Sequence, residues 1–323
     1  MQILKSRLTG KVVVLTGASS GLGRAAALEL ARRKARLVIA SRRADSLEDT
    51  ARLCRQAGAE VVSVVTDVTK EGDVAALANR AQQLTGDIDV WVNNAGVTVF
   101  GELATTPLEA HRRVLETNLW GAVHGARAVV PLFRRQGQGI LINVGSILSK
   151  VGQPFVPSYV ISKFALRGLS EALRAELADQ PDIHVCTLLP YAIDTPHFQL
   201  GANLVGRKPY AMPPAQSPEH VALQLVSLAE RPRRELHVPR IAALGLGLHA
   251  LFPRLVENVI HDALGRWHFG AAQEINAQGN LWAASEEPPH VHGRRSPQLG
   301  LASLVGWVFG HYGARGVRAL AGL

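Results

Sequence analysis

Short apolar runs and longer stretches of helical periodicity alternate along most of the chain. The runs at 11–15, 36–40, 61–65, 88–92, 139–144, 183–189 and 235–239 are of strand length and rich in Val, Ile and Leu. Between them, 24–33, 46–57, 71–85, 107–133, 158–178 and 218–230 carry helical spacing, with a break in the 107–133 pattern near Gly121. The runs at 11–15 and 36–40 read as buried strands, and strands that alternate with helices pair in parallel. The expectation is an α/β fold with a doubly wound, mostly parallel sheet, its site at the C-terminal ends of the strands.

Beyond residue 240 the pattern changes. Residues 241–251 are apolar with two glycines, Gly245 and Gly247, and the apolar character continues to Trp267. This reads as a helical pair with an apolar face, within an extension spanning 241–283. Residues 284–298 are rich in Pro, Glu, His, Arg and Ser and read as a linker. The stretch 299–323 is apolar but Gly-broken, and Leu301, Val305, Val308 and Phe309 can share one helical face. Packing on protein, disorder and peripheral membrane contact are all open for it. No tract of 18 uninterrupted apolar residues marks a membrane span.

The 323 residues are 47% hydrophobic, which is ordinary globular usage, and carry a net charge of +9 from arginines spread along the chain. That favours anionic ligands or surfaces. No basic block is interleaved with aromatics, so nucleic acid is not an expected partner. Cys54 and Cys186 form neither a C-x-x-C pair nor a metal cluster, so no metal is expected and a reducing compartment fits. No apolar run precedes Thr9, and a cytoplasmic location is expected, with membrane association through the tail left open.

The chemistry begins where the first strand meets the first helix. Thr16-Gly17-Ala18-Ser19-Ser20-Gly21-Leu22-Gly23 follows an apolar strand and opens a helix, the context a dinucleotide-binding turn needs. Gly17 suits the tight turn, Gly21 a close approach to a diphosphate, and Gly23 close helix–sheet packing. The helix N-terminus supplies free N–H groups and a positive dipole end. At the end of the second strand, Arg42 and Arg43 stand where a Rossmann-like fold places an acidic residue for NAD or an arginine for NADP. Arg42 can clasp a 2'-phosphate and Arg43 can stack on adenine, or both can be solvated surface groups. Asp45 keeps NAD(H) open beside the preferred NADP(H).

Asp67 ends the third strand, where it can accept from an adenine amino group or cap the next helix. Asn93-Asn94-Ala95-Gly96 follows the fourth strand and suits a cofactor wall, with Asn93 also able to bridge strand ends. Asn118 lies among Leu115, Leu119 and Val123, either as a packing hydrogen-bonder or in a proton path. Tyr159 and Lys163 are four apart on one helical face, and Ser146 stands at the preceding strand end. An ammonium near a phenol, whose reference pKa is near 10, helped by the positive charge of an oxidised nicotinamide, favours the phenolate and lets it exchange a proton with a substrate oxygen. Ser146 can hold that same oxygen.

With Thr16-Gly17 to Gly23, Asn93-Asn94-Ala95-Gly96, Asn118, Ser146, and Tyr159 with Lys163 in this order and spacing, residues 8–240 resemble a tyrosine-dependent short-chain dehydrogenase/reductase. The resemblance implies that Tyr159 is the general acid/base and that Lys163 lowers its pKa and binds the nicotinamide ribose. It implies that Ser146 orients the substrate oxygen and that Asn118 holds a water linking Lys163 to solvent. It places Gly17, Ser19, Ser20, Gly21, Leu22, Gly23, Arg42, Arg43, Asp67, Val68, Asn94, Ala95, Gly96, Tyr159, Lys163, Pro190, Ile193 and Thr195 at the cofactor. The family usually has Pro-Gly where this chain has Pro190-Tyr191, so that turn is altered. The Gly/Pro-rich segment 198–215 suits a lid over the site or a plain surface loop.

The expected function is interconversion of an alcohol with a ketone or aldehyde by a catalytic domain over 8–240, and the resemblance implies a homo-oligomer, a dimer or tetramer. Reduction of another polarised double bond, or a non-catalytic dinucleotide-sensing or scaffold role, are the competing readings. Val151, Phe155, Phe198 and Leu204 hint at an apolar substrate, although each is also an ordinary core candidate.

Overall fold

The computed structural model describes residues 6–273, 275–285 and 287–293, together with 306, 307, 310 and 312. The first half runs β1 (Val12–Thr16), α1 (Gly21–Arg32), β2 (Arg36–Ser41), α2 (Ala44–Gln56), β3 (Val61–Val65), α3 (Glu71–Thr85), β4 (Val90–Asn93) and the short β5 (Val99–Phe100). Then come α4 (Leu108–Leu115), α5 (Gly121–Gln136), β6 (Gly139–Val144), α6 (Pro157–Glu176) and β7 (Ile183–Pro190). The remainder holds α7 (His197–Leu200), β8 (Ala202–Asn203), β9 (Arg207–Pro209), α8 (Pro218–Glu230), β10 (Glu235–Val238), α9 (Ala242–Leu251), α10 (Pro253–Trp267) and β11 (Phe269–Ala272). The segment 299–323 lies outside the described residues except for those four positions.

Seven strands form a parallel sheet in the order β10-β7-β6-β4-β1-β2-β3. Alternation along β1 shows why both faces must be covered. Val13 and Leu15 enter a core with α1, α2 and α8, whereas Val14 enters a second core with α3, α5 and α6. All three side chains are fully buried, and their burial is the main favourable term holding the layers together. The chain leaves β1 toward β2 on one side and returns as β4 on the other. That reversal opens a crevice at the C-terminal ends of β1 and β4, where ligands of open α/β sheets bind.

Two element boundaries differ from the sequence expectation. The first helix begins at Gly21 rather than Arg24, because Gly21 and Gly23 join it despite their low propensity. The 107–133 helix is not broken at Gly121. It runs through α4, a π-helical turn over Glu116–Trp120 and α5. Gly121 is helical, and a Cβ there would lie 2.8 Å from a Val68 methyl, so this glycine marks close packing rather than a stop. The π turn holds Asn118, in keeping with the habit of such turns to fall at functional positions.

Segment 198–215 is tied down on both sides. β8 pairs with β5, β9 pairs with β11 of the C-terminal extension, and Ile193 bridges Gln216. Among the described residues, no helix is long and apolar enough to cross a membrane.

Candidate active site

The turn between β1 and α1 is built so that only glycine fits. Gly17 has φ +68 and Gly21 φ +51, conformations that L side chains rarely adopt. A Cβ on Gly23 would stand 2.0 Å from the Gly17 carbonyl oxygen, and one on Gly17 would stand 2.8 Å from Ala95 Cα. Asn94 locks the turn from the next strand, its Nδ2 donating to the carbonyls of Thr16 (2.9 Å) and Gly17 (3.2 Å). The glycines therefore leave a shallow backbone cradle at the helix N-terminus, a form suited to a diphosphate. That fit, together with a cleft running on from it, accommodates a dinucleotide.

The cleft is a continuous cavity of about 560 Å³. It is lined by Gly17, Ser19, Ser20, Gly21, Leu22 and Gly23, by Arg42, Arg43, Asp67 and Val68, and by Asn94, Ala95 and Gly96. Ser146, Tyr159, Lys163, Pro190, Ile193 and Thr195 line its other half. Of the residues anticipated for catalysis and cofactor binding, Asn118 alone stays behind the wall. Its Oδ1 accepts from Val97 N (2.8 Å), and its Nδ2 donates to Val97 O (3.0 Å) and Ser162 Oγ (3.1 Å). It borders a separate void of about 10 Å³, at the lower limit for a single water. Asn93 takes the bridging role, donating to Asn143 Oδ1 (2.9 Å) and accepting from Trp91 Nε1 (2.8 Å).

At the outer end, Arg42 and Arg43 spend donors on the chain itself. Arg42 donates to the carbonyls of Asn280 (2.7 Å), Leu281 (3.2 Å) and Trp282 (3.3 Å), and Arg43 to that of Glu287. Burial lowers the Arg42 pKa, with Arg113 acting in the same direction against Asp67. The same C-terminal segment continues along the cradle. His290 O accepts from Gly21 N (2.8 Å), and Gly293 N donates to Asp194 O (3.2 Å). Asp67 makes a local turn, accepting from the backbone N and hydroxyl of Thr69, and pairs with Arg113 at 3.5 Å.

At the inner end, Ser146 Oγ accepts from Leu148 N (3.1 Å), and Lys163 Nζ donates to Val144 O (2.8 Å). Lys163 Nζ stands 5.3 Å from the centroid of the Tyr159 ring. Burial pushes the Tyr159 phenol up to about 12, with the Ser146 hydroxyl opposing, and pushes Lys163 down to about 8. Desolvation of the phenol is the larger effect, and in this structure Tyr159 is a proton donor.

Several cavity residues had no motif to announce them. His197 packs its ring 5.5 Å from that of Tyr159, and burial, helped by Lys163, lowers its pKa to about 4, so it is neutral near pH 7. Tyr191, in place of the family's glycine, donates through its hydroxyl to Pro213 O (3.2 Å) and so ties the 198–215 segment to the end of β7. Asn280, Met212, His268 and the inward faces of α9 and α10 also line the cavity. Of the apolar edge residues, Val151 and Phe198 reach it. Phe155 instead packs edge-on against Phe269, with centroids 5.3 Å apart, and Leu204 packs beside Val97 and Val99.

A family model described as short chain dehydrogenase matches residues 11–202. An uncharacterized oxidoreductase of Bacillus subtilis (strain 168), YxnA, is 35% identical over 261 residues, covering 80% of this chain and 73% of its own length. The solved alcohol dehydrogenase of the archaeon Thermococcus sibiricus, complexed with 5-hydroxy-NADP, is 31% identical with a TM-score of 0.62, over 70% of this chain and 95% of that one. A short chain dehydrogenase/reductase from Burkholderia phymatum, in complex with NAD, is 27% identical with a TM-score of 0.69, over 77% and 95%.

Proposed function

The chain belongs to the short-chain dehydrogenase/reductase family and is a nicotinamide-dinucleotide oxidoreductase, and from that premise we propose that it interconverts an apolar alcohol and its ketone or aldehyde, preferring NADP(H). The observation that carries this reading is the meeting, in one cavity, of the glycine cradle with the Ser146 and Tyr159 hydroxyls. The bound cofactor supplies the hydride. Tyr159, protonated well past neutral pH, donates its hydroxyl proton to the carbonyl oxygen as the alcohol forms, while Ser146 holds that oxygen. Lys163, fixed by Val144 O, holds the nicotinamide ribose and supplies positive charge under the phenol. Asn118 keeps α6 and the Val97 strand end in register and borders the water-sized void that would feed the lysine. Ile193 and Thr195 close the nicotinamide end, and at the other Arg42 and Arg43 favour a 2'-phosphate that competes with the 280–282 and 287 carbonyls for their donors.

The catalytic unit proposed for 8–240 carries its extension as a working part, since α9 and α10 wall the substrate end and segment 198–215 lies over it. Exposed Trp120, Ile161 and Phe164 support a homo-oligomer formed across the π turn and α6. Ile241, Leu244, Leu248 and Leu251 give α9 an exposed apolar outer face, with Leu244 72% and Leu251 73% exposed. That face supports peripheral contact with a membrane surface, one of the readings left open for 299–323. The test is cofactor absorbance with a panel of apolar ketones and aldehydes, run with NADPH and NADH. Carbonyl-dependent consumption, faster with NADPH at equal concentration, is expected. Binding of cofactor without consumption would overturn the reading.

A further inference from the structure

At the substrate end of the cavity stands a polar group with no role in the chemistry above. His268 follows α10, is 1% exposed, and neither of its ring nitrogens has a hydrogen-bond partner among the described residues. Its surroundings are aromatic. The ring centroids of Phe100, Phe198 and Phe269 lie 5.8, 5.9 and 4.6 Å away. Burial lowers its pKa to about 4, and a polar contact with the Tyr210 backbone, too poorly aligned to satisfy either nitrogen, opposes this. A buried polar group without a partner costs stability, and this residue is among those that line the cavity.

A line of rings connects it to the catalytic hydroxyl. Tyr159 is 5.5 Å from His197, His197 is 5.9 Å from Phe198, and Phe198 is 5.9 Å from His268, centroid to centroid. The wall between Tyr159 and His268 is thus two aromatic side chains long, the His197 imidazole beside the tyrosine and the Phe198 ring beyond it, with a second neutral imidazole at its far end.

We infer that His268 is a substrate-recognition residue, and that the substrate carries a hydroxyl group separated by an apolar body from the carbon that is oxidised or reduced. A neutral imidazole offers one donor and one acceptor. A hydroxyl can both donate and accept, so in either tautomer it pairs with the one His268 nitrogen it reaches, whereas a wholly apolar substrate pairs with neither. The inference rests on the oxidoreductase reading of the same cavity and adds the class of substrate to it.

The test compares two apolar ketones of the same carbon skeleton, one bearing a distal hydroxyl and one lacking it, with full-length enzyme and His268→Phe and His268→Gln variants. In the parent, kcat/KM should favour the hydroxy-ketone. His268→Phe should lower kcat/KM for the hydroxy-ketone about ten- to a hundred-fold, mainly through KM. The plain ketone should change less than about threefold, and His268→Gln should restore part of the loss. Melting curves and NADPH affinity identify a variant that has merely misfolded, and His268→Gln then carries the comparison. Equal losses for both ketones would make His268 a packing residue and overturn the inference, as would equal kcat/KM values in the parent. Turnover of neither ketone, nor of the wider carbonyl panel, would instead overturn the activity reading on which the inference rests.

Discussion

Gly23→Ala adds one methyl group where the structure leaves no room for it. The new Cβ would lie 2.0 Å from Gly17 O, 2.6 Å from Asn94 Nδ2 and 2.8 Å from Gly17 C. Non-bonded carbon contacts settle near about 3.5 Å, so the Gly17 peptide or α1 must shift by more than about 1 Å. The same shift pulls the carbonyls of Thr16 and Gly17 from the Asn94 amide that holds them. Overpacking of this kind costs about 1–3 kcal/mol, and orphaning a half-buried amide about 1–3 kcal/mol more. At about 2 °C per kcal/mol for a domain of this size, the melting temperature should fall by about 4–12 °C. NADPH affinity should fall with it, because the cradle itself is displaced. Gly72→Ala is the matched control. Gly72 lies in the first turn of α3 with nothing within 4 Å of its missing Cβ, so the same methyl should be neutral or stabilising by up to about 1 kcal/mol. Thermal melting with and without NADPH reads both variants. If Gly23→Ala melted within a degree of the parent and bound NADPH equally well, the close-packed turn would be refuted.

Three further outcomes are expected. Lys163 is charged below about pH 8 and neutral above it in the free protein. Therefore kcat/KM for NADPH, which reports the free enzyme, should be level below that value and decline above it, and a level profile to pH 9.5 would contradict the ribose role. Arg42→Ala should raise KM for NADPH about ten- to a hundred-fold, from loss of a charge-assisted bond of about 1.5–3 kcal/mol, and raise that for NADH much less; equal KM values for the two cofactors in the parent would contradict the preference. A Cβ on Gly293 would meet Thr195 O at 2.5 Å, so Gly293→Ala should lift the C-terminal segment from the cleft and speed NADPH release in stopped-flow fluorescence, whereas an unchanged rate would show that the segment does not restrain the cofactor.

The parts of the site that could be read in the sequence are local. Strand, glycine turn and helix follow one another within 11–33, and Tyr159 and Lys163 share a face because a helix repeats every 3.6 residues. The buried strands announced themselves by composition, and their parallel pairing followed from the helices between them. What stayed hidden depends on contacts between distant segments. Arg42 meets the carbonyls of 280–282, and backbone oxygens carry no residue signature. His197 and His268 enter the cavity through ring packing, which no spacing rule encodes. The Tyr159 pKa follows from the balance between burial and the Ser146 hydroxyl, and burial is a property of the whole fold. The π turn at Asn118 left only a misplaced break at Gly121, whose true cause is the nearness of Val68.

The most direct test of the proposed chemistry is steady-state turnover of Tyr159→Phe beside the parent, with NADPH and the best carbonyl of the panel, and with NADPH binding measured on both. The phenylalanine keeps the ring beside Lys163 and His197 and removes only the hydroxyl proposed to donate the proton. A loss in kcat of about 100-fold or more, the usual worth of a general acid, with NADPH affinity nearly unchanged, is the predicted result. A variant that kept more than about a tenth of the parent kcat, where a general acid is worth at least about 100-fold, would contradict the assignment of Tyr159 as the proton donor.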